Sequence, residues 1–367
     1  MDISTIHLRK VSLPLRNPFK THQGELHQRS VIIVVAKDCQ GLQGYGEVTA
    51  FPSPFYTAET LETAWHMLID IIFPIIKDEP LHHPSDFIEM TAFIQGNQMA
   101  KAGMEGALWD LYAKQNQVSL GELIGGIHSS VKAGAVLSLS HSLEKDINHL
   151  KHSGYERYKL KVEKGREKEM IEQAQAIDPG LAIMIDANGM YTEQNLDHLF
   201  SLDQLGLLMI EQPFQAGDFY LHKQAQKQMD TPLCLDESIM SLHDAKQAIK
   251  LESCRVINIK ISRVGGLMTA TNIHDFCQEH GIPVWCGGMV ETGISKAHNI
   301  ALSSLPNFTI PGDLSSSDRY FNKDLLLKPI KVENGKIDVP NGHGIGVEVD
   351  ESFLEKMTYQ SYLWSPK

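Results

Sequence analysis

The sequence predicts an α/β protein, a closed parallel barrel of strand–helix units preceded by a smaller α+β region. Three observations carry that prediction. Lys161, Asp186, Glu211 and Asp236 stand 25 residues apart, and Lys260 follows 24 residues later. Each ends a short apolar run: YKLK, LAIMID, LLMIE, PLCLD and VINIK. A period of about 25 residues fits one strand, one helix and two loops. From Lys132 onward strand and helix patterns alternate, with strand candidates at 133–139, 157–162, 182–186, 207–211, 233–236, 256–260, 283–287 and 308–311. Eight such units argue for barrel closure. The competing open, doubly wound sheet lacks its phosphate loop, since Gly265-Gly266 and Gly287-Gly288 are only glycine pairs at strand ends.

Ahead of the barrel, residues 2–14 and 29–37 read as strands, the second carrying the β-branched run Val31-Ile-Ile-Val-Val. Gly41-Leu-Gln-Gly-Tyr-Gly leads into a third strand ending near Glu47, completing an antiparallel meander. Loops are expected from Asn17 to Glu25 and from Thr49 to Tyr56, the latter with two prolines. They read as binding loops or as plain connectors. Helical stripes follow over Ala58 to Ile72 and over 98–118, and Leu120-Gly-Glu-Leu-Ile-Gly-Gly breaks the second pattern. Within the barrel, helices are expected over Glu167 to Ala176, Glu193 to Leu205 and Leu267 to His280. Beyond it come a hairpin turning at Asn334-Gly335, a strand from Ile345 to Val349 and a final helix. The expected division is 1–125, 126–312 and 313–367, the last segment packing back on the first.

Composition narrows the class. The 367 residues are 42% hydrophobic and 21% charged, ordinary for a globular protein with a large core. A formal net charge of −12 argues against a nucleic-acid partner. The five cysteines form no CxxC pair and are odd in number, which fits reduced thiols in a cytoplasmic protein. No signal peptide is indicated at MDISTIHLRK, and the most apolar stretch, Met67 to Ile76, is interrupted by Asp70 and Pro74 and is too short for a membrane span.

The ladder has a chemical reading. Residues two apart in a strand share a face, so Lys159 and Lys161 both point into the mouth at the strands' C-terminal ends. Asp186, Glu211 and Asp236 converge on the same volume. Like charges this close call for a cation among them. An all-oxygen set favours a hard one, Mg²⁺ before Ca²⁺ or Mn²⁺. One acidic strand end reads more plainly as a cap or an ion pair; three at equal spacing read as metal ligands. Lys161 and Lys260 flank the carboxylates from both sides, the arrangement needed to take a proton α to a carboxylate. A lysine base starts near pKa 10.4, and burial together with the charge of Lys159 is expected to lower it. On its own, Lys-x-Lys would read as a solvated surface strand. Two facing lysines permit a syn dehydration, in which one base returns its proton to the leaving hydroxyl, or a racemisation. His149 with His152, and His82-His83, bring no third ligand and read as surface positions. Cys234 reads as barrel filling, because no histidine is placed to activate it.

The Lys-x-Lys, Asp, Glu, Asp, Lys series resembles that of the enolase superfamily, for which lysine bases with Mg²⁺ are a known pattern. Longer stretches resemble its o-succinylbenzoate synthase and N-acylamino acid racemase branch. They are Ala50-Phe-Pro-Ser-Pro-Phe-Tyr-Thr, Ala107-Leu-Trp-Asp-Leu, Thr231-Pro-Leu-Cys-Leu-Asp-Glu-Ser-Ile, Asn258-Ile-Lys-Ile-Ser-Arg-Val-Gly-Gly-Leu, Val284-Trp-Cys-Gly-Gly-Met-Val-Glu-Thr-Gly-Ile and Pro311-Gly-Asp-Leu-Ser.

The resemblance implies an α+β capping domain over a (β/α)7β TIM-like barrel. It implies Mg²⁺, with Mn²⁺ as a substitute, on Asp186, Glu211 and Asp236, and acid/base roles for Lys161 and Lys260 tuned by Lys159. Asn188 and the Gly288-Met289-Val290 amides are implied to face a small carboxylate substrate. Arg263 matches a position of the racemase-capable members, with a plain surface arginine as the alternative. A homo-oligomer is expected. His22, where a serine is expected, and His343, between glycines where proline is common, depart from the pattern. The implied activities are dehydration to o-succinylbenzoate in menaquinone biosynthesis and racemisation of N-acyl, especially N-succinyl, amino acids, separately or in one site. A non-catalytic barrel used for binding is the third possibility.

Overall fold

The computed structural model describes residues 1–21, 24–77, 80–137 and 143–366, without the side chains of residues 19–21 and 24. Its strands, in chain order, are β1 (Ile3–Thr21), β2 (Gly24–Asp38), β3 (Gln43–Val48), β4 (Ser130–Lys132), β5 (Ala135–Leu137), β6 (Tyr158–Lys161) and β7 (Ile183–Asp186). They continue with β8 (Met209–Glu211), β9 (Leu233–Leu235), β10 (Val256–Ile259), β11 (Val284–Cys286), β12 (Lys336–Asp338) and β13 (Thr358–Trp364). One antiparallel sheet has the order β13-β1-β2-β3. A parallel sheet of seven runs from β11 to β5 in strict sequence order, and β12 pairs with β4.

The run Val31 to Ala36 is apolar throughout because both faces of β2 are covered. Ile32, Val34 and Ala36 join a core with Trp65, Phe73 and Leu108 of the N-terminal helices. Val31, Ile33 and Val35 share the larger core with Leu267, Ile294 and Ile300 of the helices flanking the parallel sheet. The first sheet is thus glued to the second by its own strand. On its other side the approach to the helix Gln98–Gln115 is so close that β3 requires glycine. A Cβ on Gly46 would overlap the Gly103 carbonyl oxygen and lie 2.6 Å from the Ala107 amide. Both atoms are backbone and cannot swing away. Gly46→Ala is therefore expected to lower stability by about 3 kcal/mol or more, the upper range for overpacking. Urea unfolding measures it, and an unchanged midpoint would contradict so close a contact.

Several sequence expectations need correction. The span 17–25 is mostly strand, since pairing resumes beyond Pro14 with Phe19 opposite Leu26 and Thr21 opposite Gly24. A register shift between Pro14 and Phe19 takes up Pro18, which has no N–H to donate. His22 lies outside the described residues. The helix expected over 58–72 begins at Leu61, widens to a π-helical turn over Met67–Ile72 and continues through Pro74 as Phe73–Lys77. No strand forms over 345–349; Val349 makes only an isolated bridge with Leu326. The strand is β13, beyond the helix Glu351–Met357, and it pairs antiparallel with β1. Its aromatic residues explain why the chain continues as a strand: Tyr362 and Trp364 stack on Phe73 at 6.1 and 5.3 Å.

The eighth barrel candidate, 308–311, is no regular strand. Phe308 and Gly312 instead bridge in parallel to Val284 and Ala133, next to the two edges of the seven-stranded sheet. Gly134 donates to the Gly312 carbonyl at 2.6 Å, and Asp313 donates to the Cys286 carbonyl at 2.9 Å. Pro311, which lacks an N–H, sits between these bridges and limits the ladder. Among the described residues no helix is long and apolar enough to cross a membrane.

One buried histidine makes stability sensitive to acid. His222 is fully enclosed, and burial pulls its pKa down to about 4. The folded state then binds fewer protons than the unfolded state between pH ~6.5 and ~4, so stability falls as pH drops through that window. The expected loss is about 3 kcal/mol, most of it absent in His222→Asn, as thermal melts across pH will report.

Candidate active site

The parallel register sets the site. Lys161 on β6 is in register with Asp186 on β7, and Asp186 with Glu211 on β8. On β9 the neighbour of Glu211 is Cys234, so Asp236, two residues on and on the same face, stands one rung higher. Lys260 follows the end of β10. Five successive strand ends thus deliver the five ladder residues to one region.

Asp186, Glu211 and Asp236 are all buried, and each is met by cations. Lys159 bridges two of them, its Nζ 3.0 Å from Asp186 Oδ2 and 2.6 Å from Glu211 Oε2, with Asp313 Oδ2 at 3.1 Å. Lys161 pairs with Asp186 and donates to Asn188 Oδ1 at 2.9 Å. Lys260 donates to Asp236 Oδ2 and to the Tyr56 hydroxyl, both at 2.8 Å. Arg263 pairs with the other Asp236 oxygen and donates to the carbonyls of Ile239 at 2.8 Å and Asn258 at 2.7 Å. It is fully buried, which overturns the surface-arginine alternative.

The electrostatics correct another expectation. Burial alone would lower the Lys159 pKa, but Asp186, Asp313 and Glu211 outweigh it and hold the ammonium well above its usual range. Burial and, as expected, the positive charge of Lys159 pull Lys260 down, but they do not prevail there: Tyr56, Glu237 and Glu211 leave it raised. Burial pushes the Asp186 carboxyl up, and Lys159 with Lys161 brings it far below the carboxylate range. Lys161 itself is the accessible member of the set, with 43% of its side chain exposed.

The donor chemistry fits a hard cation, being three buried carboxylates and no sulfur or imidazole. Glu211 Oε2 is met by the Lys159 ammonium at 2.6 Å, so a cation already contacts two of the three carboxylates. In the present arrangement the ammonium of Lys159 fills the space between Asp186 and Glu211. Among the described residues no group of three acidic, histidine or cysteine side chains is spaced to hold a metal ion without some rearrangement.

Asn188 adopts a left-handed backbone (φ 43°) and its side-chain amide donates to Glu237 Oε1 at 3.0 Å. In the Gly288–Val290 loop the Met289 amide donates to the Glu291 carboxylate. Val290 is also left-handed (φ 55°), and its carbonyl accepts from Arg29 Nε at 3.2 Å. A β-branched residue is strained there, so the loop is held by its surroundings. Sequence reasoning missed Tyr56, Glu237 and Asp313. Each lies inside a stretch already singled out, but a side chain's reach across units is not written in strand spacing. Cys234 packs with Met184, Met209 and Trp285 inside the curled parallel sheet, and burial pushes its thiol far up. His83 caps the helix Pro84–Thr91, and His152 pairs with the Asn148 carbonyl.

An antiparallel domain beside a curled parallel sheet, with lysines flanking three acidic strand ends, defines the enolase type of α/β protein. Family models agree: "Enolase C-terminal domain-like" matches residues 143–353, and "Mandelate racemase / muconate lactonizing enzyme, N-terminal domain" matches residues 3–125. The chain is 46% identical to the o-succinylbenzoate synthase of Bacillus subtilis (strain 168), covering 97% of this chain and 96% of that one. It is 36% identical to an N-succinylamino acid racemase of Thermus thermophilus, covering 99% of each. A crystal structure of an enolase-superfamily member from Listeria innocua superposes with a TM-score of 0.97 at 39% identity, covering 100% of both chains. The chain belongs to the enolase superfamily, in the branch of these synthases and racemases.

Proposed function

We propose that the protein is a Mg²⁺-dependent o-succinylbenzoate synthase, dehydrating 2-succinyl-6-hydroxy-2,4-cyclohexadiene-1-carboxylate in menaquinone biosynthesis. The observation that carries this is the placement of Lys161 and Lys260 on either flank of three buried carboxylates at consecutive strand ends. Mg²⁺, or Mn²⁺ in its place, held by Asp186, Glu211 and Asp236, supplies Lewis-acid stabilisation of charge developing on the substrate carboxylate. The Lys161 amine takes the α-proton and returns it to the departing hydroxyl, which leaves as water. The Lys260 ammonium faces the enediolate from the other side. Lys159 holds Asp186 and Glu211 together, Asn188 steadies Lys161, and Tyr56 with Arg263 steadies Lys260 and Asp236. The Gly288–Val290 loop borders the substrate carboxylate.

The same reading treats the segment 308–312 as the eighth strand of a (β/α)7β barrel, which its bridges beside both sheet edges support. It divides the chain at 125/126 and 312/313, with β13 returning the C-terminal segment to the capping domain. We read the protein as cytoplasmic; all five cysteines are free, as suits a reducing compartment.

A second activity, racemisation of N-succinylamino acids, is favoured by one feature. Lys260 is buried against Asp236 with Arg263 beside it, a second base on the opposite flank. Assaying one preparation with Mg²⁺ for both reactions tests the proposal. Dehydration is expected, with racemisation alongside it; racemisation alone would transfer the assignment to the second reading, and neither would overturn both.

A further inference from the structure

Two buried glutamates of the N-terminal domain make no close ion pair among the described residues, and both end on the barrel's helices. Glu105, in the helix Gln98–Gln115, accepts from the Leu267 amide, the Met268 amide at 3.1 Å and the Trp109 indole at 2.9 Å. Glu47, on β3, accepts from the Thr292 amide at 3.0 Å, the Thr292 hydroxyl at 2.6 Å and the Ser295 amide at 3.1 Å. These amides are the unpaired first donors of the helices Leu267–Glu279 and Gly293–Ser303, normally satisfied from within the chain's own turn. Here Glu105 caps the first helix from another domain, and Glu47 adds to the cap that Thr292 itself makes to the Ile294 amide.

The two capped helices are the ones behind the functional loops. Leu267 follows Lys260 and Arg263 by one short turn, and Thr292 follows Gly288–Val290 after Glu291 alone. The glycine pair between Arg263 and Leu267 fits this role. A Cβ on Gly266, whose φ is 137°, would overlap the Glu105 carboxylate, so the pair is shaped around it. Burial is costly for both acids and pushes each up to about 7 against the pull of its donors. Arg29 reinforces the second clasp by donating from β2 to the Val290 carbonyl.

We propose that Glu105 and Glu47 are positioning residues through which the capping domain sets the two loops of the site, Glu105 the Lys260–Arg263 turn and Glu47 the Gly288–Val290 loop. The consequence for catalysis rests on the function proposed above; the consequence for the backbone does not. The test therefore has two readouts on Glu105→Gln and Glu47→Gln, which keep volume and remove the charge.

Amide hydrogen exchange by mass spectrometry is expected to rise at least tenfold over 261–268 in the first variant only, and over 288–296 in the second only. With substrate, Glu105→Gln is expected to cut Lys260-dependent α-proton exchange in D₂O at least tenfold while Lys161-dependent exchange stays within about twofold. Glu47→Gln is expected to raise KM at least tenfold with kcat little changed. Thr292→Val, which removes one donor to Glu47 at constant shape, should move the same segment in the same direction if Glu47→Gln does not fold. Exchange spread evenly over both segments in either variant, or unaltered in both, would overturn the proposal whatever the substrate. Localised backbone loosening with no turnover even in the unmodified protein would instead sink the functional reading alone.

Discussion

Lys161→Ala is expected to lower dehydration by about 10³-fold, within the 10²–10⁴ range for losing a positioned acid/base group. The geometry makes the loss specific. Lys161 is the half-exposed lysine of the set, held by Asp186 and by Asn188 Oδ1 at 2.9 Å. Lys159 is close in sequence but locked among three carboxylates and raised well above its ordinary pKa. Lys260→Ala separates the two activities. It should abolish racemisation by a similar factor, yet leave α-proton exchange of the one enantiomer whose proton faces Lys161. Dehydration should fall as well, through the lost ammonium. Measuring exchange of each enantiomer in D₂O decides it: loss of both in Lys260→Ala would refute separate bases. Wild-type dehydration in Lys161→Ala would remove that residue from the chemistry.

How much of this was legible in the sequence follows from what repeats in it. The strand–helix units and the ladder were readable because strand, helix and loop recur every 25 residues and each candidate residue ends an apolar run. The parallel register, Lys161 beside Asp186 beside Glu211, carries that spacing straight into space. Contacts between distant segments have no such period. Tyr56 meets Lys260 from 204 residues away, Asp313 meets Lys159 from 154, and Glu105 meets Leu267 from 162. The raised Lys260 was missed for the same reason, since burial and the charge of Lys159 were foreseeable but Tyr56 and Glu237 beside it were not. At the C-terminus, β13 finds its partner in β1 almost a whole chain length away. Short-range pattern stops at the helix Glu351–Met357, whereas the strand is decided by stacking on Phe73.

Divalent metal should have as large an effect as either lysine, and on stability as well as rate. Lys159 compensates Asp186 and Glu211 from a buried position. Removing one partner of such a network leaves uncompensated charge, so Lys159→Met is expected to cost about 3–5 kcal/mol without metal. A hard dication binding the same carboxylates offsets that charge. Mg²⁺ at a hundredfold excess over Kd should stabilise the unmodified protein by about 2.7 kcal/mol and recover part of the Lys159→Met loss. Glu211→Gln, which keeps shape but removes an anionic donor, should abolish the Mg²⁺-dependent rise in Tm. Chelation should eliminate turnover, and added Mg²⁺ should restore it. Thermal melts of the three proteins with and without Mg²⁺ are the deciding measurement: equal shifts in unmodified and Glu211→Gln protein would show that the cation binds elsewhere, leaving the buried carboxylates to Lys159 alone.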